Sequence, residues 1–272
     1  MNVTNYLTGA NINANTIVGG SDKWTTWNGC IEERQTVNTI TASSSAAYSN
    51  IPSGALDLNI DKIPDGNNNT KWVPSFPKIV YLTNNTNAGH YCPVEAKRLN
   101  VMTKAQMQTY VDNLQPTGNT YHDIGMIWGA RFVSRNGIFA GDNPSVYNDR
   151  PVNRYVIFMT DGILEPESEG YYSYGVERLD RRIVGGTYNN AVTDGNGSDL
   201  EKRHSKRFVM ACNAAKEQKT SIWTIAFGLS APQPLKDCAS NDDQWSTSAN
   251  STDLIAKFKE IGKNIGALRL SK

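Results

Sequence analysis

Apolar residues run without a polar break at 155–159 (YVIFM) and then give way at once to Thr160, Asp161 and Gly162. A short continuous run rich in β-branched and aromatic side chains predicts a strand of a parallel sheet, covered on both faces. Residues 221–227 (SIWTIAF), closed by Gly228, repeat the pattern, and 79–82 (IVYL) is a shorter version of it. The stretches around these runs carry the helical period instead. Met107, Tyr110, Val111 and Leu114 fall at i, i+3, i+4 and i+7 behind the capping-box pattern Thr103-Lys-Ala-Gln106, and Pro116 and Gly118 end the helix. A second helix is expected over roughly 123–134, with Ile124, Ile127, Trp128 and Phe132 as its apolar members. Its Gly125 and Gly129 lie four apart and let another backbone come close. A third covers 200–218, burying Phe208, Val209, Cys212 and Ala215. A fourth starts at the N-cap Ser251, presents Leu254, Phe258, Ile261 and Ile265, and stops at Gly266, leaving 268–271 as a short closing strand. From residue 99 the order is helix, helix, strand, helix, strand, helix. Alternation of this kind predicts an α/β fold with a doubly wound parallel sheet and helices on both faces.

Residues 1–98 read differently. They are rich in Asn, Ser, Thr and Gly, with loop compositions at 43–45 and 67–70, and Trp24, Trp27 and Trp72 are dispersed among them. The expected division is a loop-rich insertion or satellite region over 1–98 and the α/β unit over 99–272. Residues 163–199 form a second long polar stretch, and a loop of that length is functional or mobile as a rule.

A net charge of +1 over 272 residues gives no electrostatic case for nucleic acid. No apolar run approaches the length that spans a bilayer, and the first residues have neither the basic start nor the apolar centre of a signal peptide. Cys30, Cys92, Cys212 and Cys238 stand in no CxxC pair and at no zinc spacing. Two disulfides formed in an oxidising compartment are expected, with three pairings open. An exported chain without an export signal implies a segment upstream.

The candidate chemistry lies at the carboxyl ends of the predicted strands, where open α/β sheets bind ligands. Thr120 stands in Gly118-Asn-Thr120 at a helix start, and Asp161 directly follows a strand. Taken singly, such residues serve as a cap and a turn. His90, His122 and His204 have no GxSxG-type nucleophile motif nearby, so a hydrolase using Asp161, His122 and a metal is the minor reading. Glu165, Glu167 and Glu169 read as a solvated loop face, as do Lys202, Arg203, Lys206 and Arg207 at a helix start. Gly185-Gly186 is followed by no Gly-Lys-Ser/Thr and is not a phosphate loop.

Taken together and in this order, Gly118-Asn-Thr120 and Met159-Thr-Asp-Gly162 resemble the von Willebrand factor A domain. That family holds Mg²⁺ or Mn²⁺ in a metal-ion-dependent adhesion site built from a DxSxS loop, a Thr and an Asp. Thr120 matches the Thr and Asp161 the Asp, with Asp123 as an outer-shell group; no DxSxS occurs in the chain. With Trp27-Asn-Gly-Cys30, Tyr91-Cys-Pro93, Trp223-Thr-Ile-Ala-Phe-Gly228 and Leu235-Lys-Asp-Cys238 added, the chain is similar to the C-terminal part of TadG-type proteins of the tight-adherence (Flp) pilus assembly system. The resemblance implies a von Willebrand A-like sheet whose first strand, DxSxS loop and membrane helix lie upstream. It implies a non-enzymatic assembly or adhesion module with protein partners, a partial site taking Mg²⁺ or Mn²⁺ weakly, and a place on the periplasmic or extracellular side of a bacterial envelope. A structural role with an inert metal loop is the alternative. On this reading Cys30 pairs with Cys92 across the insertion, and Cys212 with Cys238.

Overall fold

The computed structural model describes residues 12–15, 22–76, 80, 88–89, 92–187 and 191–270, with backbone alone at 12–15, 22–25 and 267–270. The sequence-predicted strand at 79–82 and the candidate His90 fall outside these residues, except for Val80, which is not in a strand.

The strands are β1 (Ile12–Asn15), β2 (Asp22–Thr25), β3 (Ile31–Glu32), β4 (Val73–Pro74), β5 (Val146–Tyr147), β6 (Arg150–Pro151), β7 (Arg154–Thr160), β8 (Tyr171–Tyr172), β9 (Gly175–Val176), β10 (Thr220–Phe227) and β11 (Trp245–Ser248). The α-helices are α1 (Lys104–Asp112), α2 (His122–Phe132), α3 (Glu177–Asp180), α4 (Asp199–Glu217), α5 (Gln233–Cys238) and α6 (Ser251–Leu270). Among the described residues the central feature is a three-stranded parallel sheet in the order β11-β10-β7. The short strands pair as four antiparallel two-stranded ribbons around it. The chain is therefore a mixed α/β protein. β11 lies between the predicted strand at 221–227 and the helix that starts at Ser251 and is not among the predicted elements: Trp245-Ser-Thr-Ser248 is too short and too polar to stand out as a strand.

One face of the sheet carries Val156 and Phe158 of β7 and Ile222 and Ala226 of β10. These pack with Met126, Ile127 and Ala130 of α2 and with Phe208, Met210, Ala211, Ala214 and Ala215 of α4. Gly125 permits the close approach of α2, since a Cβ there would meet the Phe158 ring at 3.4 Å. Ile40, Ala55, Leu58 and Ile60, from the loop-rich region, belong to the same core, which these four apolar residues join directly. On the other face, Leu254, Ile261 and Ile265 of α6 pack on Trp223 and Ile225 of β10.

Four expectations need correcting. β7 forms as predicted but is not covered on both faces: among the described residues it lies at the sheet's edge, with Ile157 37% and Met159 48% exposed. The first helix has its capping box, with Thr103 and Gln106 each bonding the other's backbone, yet no residue of α1 is buried and its apolar stripe meets no core. The polar stretch after Gly162 is not an open loop. It folds into the β8–β9 hairpin and α3 and buries Tyr171, Tyr174, Val176 and Ile183, aromatic and aliphatic residues spaced too irregularly to show a period in the sequence. α6 passes through Gly266 to Leu270, so no closing strand forms there; a single glycine costs only about 1 kcal/mol in a helix and does not by itself end one.

Cys30 pairs with Cys92 and Cys212 with Cys238, at Cα separations of 5.9 and 5.2 Å. The second joins α4 to the end of α5 inside the main core. No helix among the described residues is long and apolar enough to cross a membrane.

Candidate functional site

The carboxyl end of β7 is shaped by Thr160. Its hydroxyl donates to Gly162 O (3.0 Å) and accepts from Gly162 N (3.2 Å), closing a tight turn that presents Asp161 to solvent. His122, the first residue of α2, places Nε2 3.1 Å from the same hydroxyl. With the hydroxyl proton committed to Gly162 O, Nε2 is assigned as the donor. His122 is buried, and burial holds its pKa below the ordinary histidine value. It is a fixed, neutral part of the turn.

Thr120 reaches this turn from the other side. Its carbonyl accepts from Glu165 N (3.1 Å) in an isolated antiparallel bridge. Its hydroxyl lies so close to Gly162 that a Cβ there would meet Thr120 Oγ1 at 3.4 Å. The fold thus brings Thr120 and the turn bearing Asp161 together, although 40 positions separate them in the chain. Asp123 goes elsewhere. It is fully buried, and its Oδ2 accepts from His204 Nδ1 at 2.7 Å. The acidic trio also separates: Glu165 is exposed, Glu167 accepts from the Tyr172 hydroxyl (2.9 Å), and Glu169 pairs with Arg178.

The largest concentration of ionisable groups is in the interior. Glu33 accepts from Arg131 through both oxygens (2.8 and 3.0 Å), from Trp128 Nε1 (2.7 Å) and from Trp72 Nε1 (3.3 Å). Arg131 lies over the Trp128 ring, and Arg34 over Trp72 at 4.6 Å. Burial, together with Arg131 nearby, pushes the Arg34 guanidinium down to about 10. A second cluster joins Asp57, Arg207 and the Tyr174 hydroxyl, which donates to Asp57 Oδ2 at 2.6 Å. Burial opposes the charge on Arg207, but the Asp57 carboxylate, Tyr174 and Asp123 together outweigh it and hold the guanidinium above its ordinary value.

These groups fasten the loop-rich region to the helices. Arg131 also donates to Asp57 O (2.7 Å), Arg182 to the carbonyls of Glu33 and Arg34, and Arg203 to those of Asn38 and Ile40. A segment with few strands leaves its carbonyls unpaired, and arginine forks supply the missing donors. The basic turn read as solvated is therefore partly structural: Arg207 is fully buried and Arg203 is committed to loop carbonyls. The sequence signal was the position of Arg207 beside Phe208 on the buried side of α4, and of Arg131 beside Ala130 on that of α2.

No family model matches the chain, and no curated protein does. Among solved structures, it is similar to the pilus adhesin SpaC from Lactobacillus rhamnosus GG. One crystal structure of SpaC aligns at 18% identity with a TM-score of 0.36, and its open conformation at 12% with a TM-score of 0.37. Each alignment covers 60% of this chain and 21% of SpaC.

Proposed function

We propose that this chain is a non-enzymatic assembly module that binds protein at the carboxyl end of its sheet. The observation that carries the reading is the meeting of Thr120 with the turn that presents Asp161 to solvent: a Cβ at Gly162 would lie 3.4 Å from Thr120 Oγ1, and Asp161 beside it is exposed. The finer reading, a von Willebrand A-like module of a tight-adherence pilus system on the outer or periplasmic side of an envelope, rests on the motif pair Thr120 and Asp161. It is supported by their meeting at one sheet end and by two disulfides, which form in oxidising compartments. The non-enzymatic reading is supported by the histidines. Both are buried; His204 Nδ1 is held by Asp123, and His122 Nε2 meets the Thr160 hydroxyl, which is tied into the turn by its bonds to Gly162.

The residues present do not fit a resident metal ion. Mg²⁺ keeps several waters but needs its remaining oxygen ligands held in near-octahedral geometry, whereas this sheet end offers one exposed carboxylate, Asp161, beside the Thr120 hydroxyl, and the described residues contain no group of three or more His, Cys, Asp or Glu suited to a metal. Calorimetric titration with Mg²⁺ or Mn²⁺ should give at most a weak, millimolar interaction that Asp161→Ala removes. Tight binding would mean a complete site, and a flat titration in both forms would favour the inert-loop reading.

A further inference from the structure

The chain contains three Asn-Gly pairs: Asn28-Gly29, Asn136-Gly137 and Asn196-Gly197. In such a pair the glycine nitrogen can close a five-membered ring on the asparagine side-chain amide, and the glycine has no side chain to hinder it. We propose that Asn196 is a site of self-modification, in which the Gly197 nitrogen attacks Asn196 Cγ while the Glu201 carboxylate takes the proton from that nitrogen. The new N–Cγ bond forms, the Cγ–Nδ2 bond breaks, and Nδ2 leaves as ammonia with the proton handed back by Glu201. Water then opens the succinimide at either carbonyl, giving aspartate or isoaspartate.

The loop around Asn196 is built for ring closure. Asn196 is exposed and lies between Gly195 and Gly197, at φ +84° and +80°, and a Cβ added to either glycine would meet nothing within 4 Å. Both ends of the loop are fixed. Asp194 Oδ2 accepts from Ser168 N (2.8 Å) and Oγ (2.5 Å), and the Ser198 hydroxyl caps α4 by accepting from Glu201 N (3.0 Å). Ser198-Asp-Leu-Glu201 has capping-box spacing, so the Glu201 side chain turns back over the loop and faces the Gly197 amide. Burial raises the pKa of its carboxyl, while the Gly197 amide, Lys202 and His204 oppose that rise. The other two carboxylates of the loop are engaged, Asp194 by Ser168 and Asp199 by Arg203 Nε (2.7 Å). Glu201 is therefore the base at the attacking nitrogen.

The other two pairs are held. Gly137 N donates to Ser134 Oγ (3.0 Å), Asn136 Nδ2 to Asp61 (3.4 Å), and a Cβ at Gly137 would lie 2.8 Å from Ile60 O. Neither reacting group of Asn136-Gly137 is free to turn. Asn28-Gly29 is exposed, but it is closed in by the Trp27 Nε1 bond to Cys30 O (2.5 Å) and by the Cys30–Cys92 disulfide.

Peptide mapping by mass spectrometry of the whole chain, incubated for days near neutral pH, reads conversion at each pair. Labelling by an isoaspartate methyltransferase identifies the isoaspartate product. Asn196 should convert first, at least about tenfold faster than Asn136, whose ring closure requires local opening. Glu201→Gln should slow Asn196 at least about tenfold and leave Asn28 unchanged. The rate at Asn196 should stay nearly level from weakly acidic to neutral pH in the native chain and rise in proportion to hydroxide in Glu201→Gln. A merely structural role for Glu201 would not change that profile. An intact Asn196, or conversion at Asn28 or Asn136 as fast as at Asn196, overturns the site. An unchanged rate and profile in Glu201→Gln overturn the base.

Discussion

Glu33→Ala should destabilise the protein by about 3–5 kcal/mol, the cost of removing one member of a buried ion pair. Glu33 and Arg131 are both buried, and the carboxylate accepts every hydrogen bond that the Arg131 fork and the Trp72 and Trp128 indoles direct at it. Its loss leaves a guanidinium stranded beside Arg34, whose own charge burial already disfavours. The desolvation already incurred by Arg131 is then no longer repaid. Urea denaturation followed by tryptophan fluorescence is the measurement, since Trp72 and Trp128 lie 5.5 Å apart at the site. Two controls separate loss of charge balance from loss of packing. Glu33→Gln keeps the volume and should still cost most of the same amount. Glu33→Leu with Arg131→Met removes both charges and should recover a large part of the loss, because well-packed apolar pairs replace buried ion pairs at little cost. A single-site loss below about 1 kcal/mol would mean that the pair behaves as a surface one.

That network also shows where reading the sequence stops. The helices and the two long strands are legible because each repeats one local rule: the 3.6 period in α2 and α4, an unbroken apolar run in β7 and β10. The cap at Thr103 and the meeting of Thr120 with the Asp161 turn follow from short motifs. The role of β7 does not follow, because an apolar run reports that a strand can be buried and not which neighbours are present. Ile157 and Met159 look the same in a central strand and at an open edge. The loop-rich region is opaque for a different reason. Its order comes from Glu33, Asp57, Arg131, Arg182, Arg203 and Arg207, whose hydrogen bonds span up to 171 positions, and charge has no period that marks it as buried. A lone arginine on a helix is read as solvated unless its apolar neighbours are weighed, as they could be for Arg207 beside Phe208. Asp123 shows the same limit: its position next to the sheet end suggested a place near an ion, while its side chain belongs to His204 in the interior.

The same region depends on a covalent link, and the two disulfides should behave differently under reduction. Cys30–Cys92 spans 62 positions and Cys212–Cys238 spans 26, which in the chain-entropy model correspond to about 4 and about 3.5 kcal/mol of stabilisation. Accessibility separates them further. Cys30 and Cys92 are half-buried, whereas Cys212 and Cys238 lie wholly inside the core between α4 and α5. A thiolate must reach the sulfur it attacks, so a reductant acting on the folded protein should open Cys30–Cys92 first. Cys212–Cys238 should wait for global unfolding. Mild reduction without denaturant, with thiols trapped and mapped by mass spectrometry, should therefore pass through a species free only at Cys30 and Cys92. That species should melt roughly 10 °C lower, the shift expected for about 4 kcal/mol in a chain of this size. Release of both pairs together, at the rate of global unfolding, would show that the first bond is as well shielded as the second. A species with normal stability would show that the arginine forks from α2 and α4 hold the loop-rich region without it. Cys30→Ala with Cys92→Ala, measured beside Glu33→Ala and the triple variant, would then apportion the two contributions. Losses that add would make the disulfide and the ion network independent fastenings. A triple variant less destabilised than the sum would mean that both hold one cooperative unit.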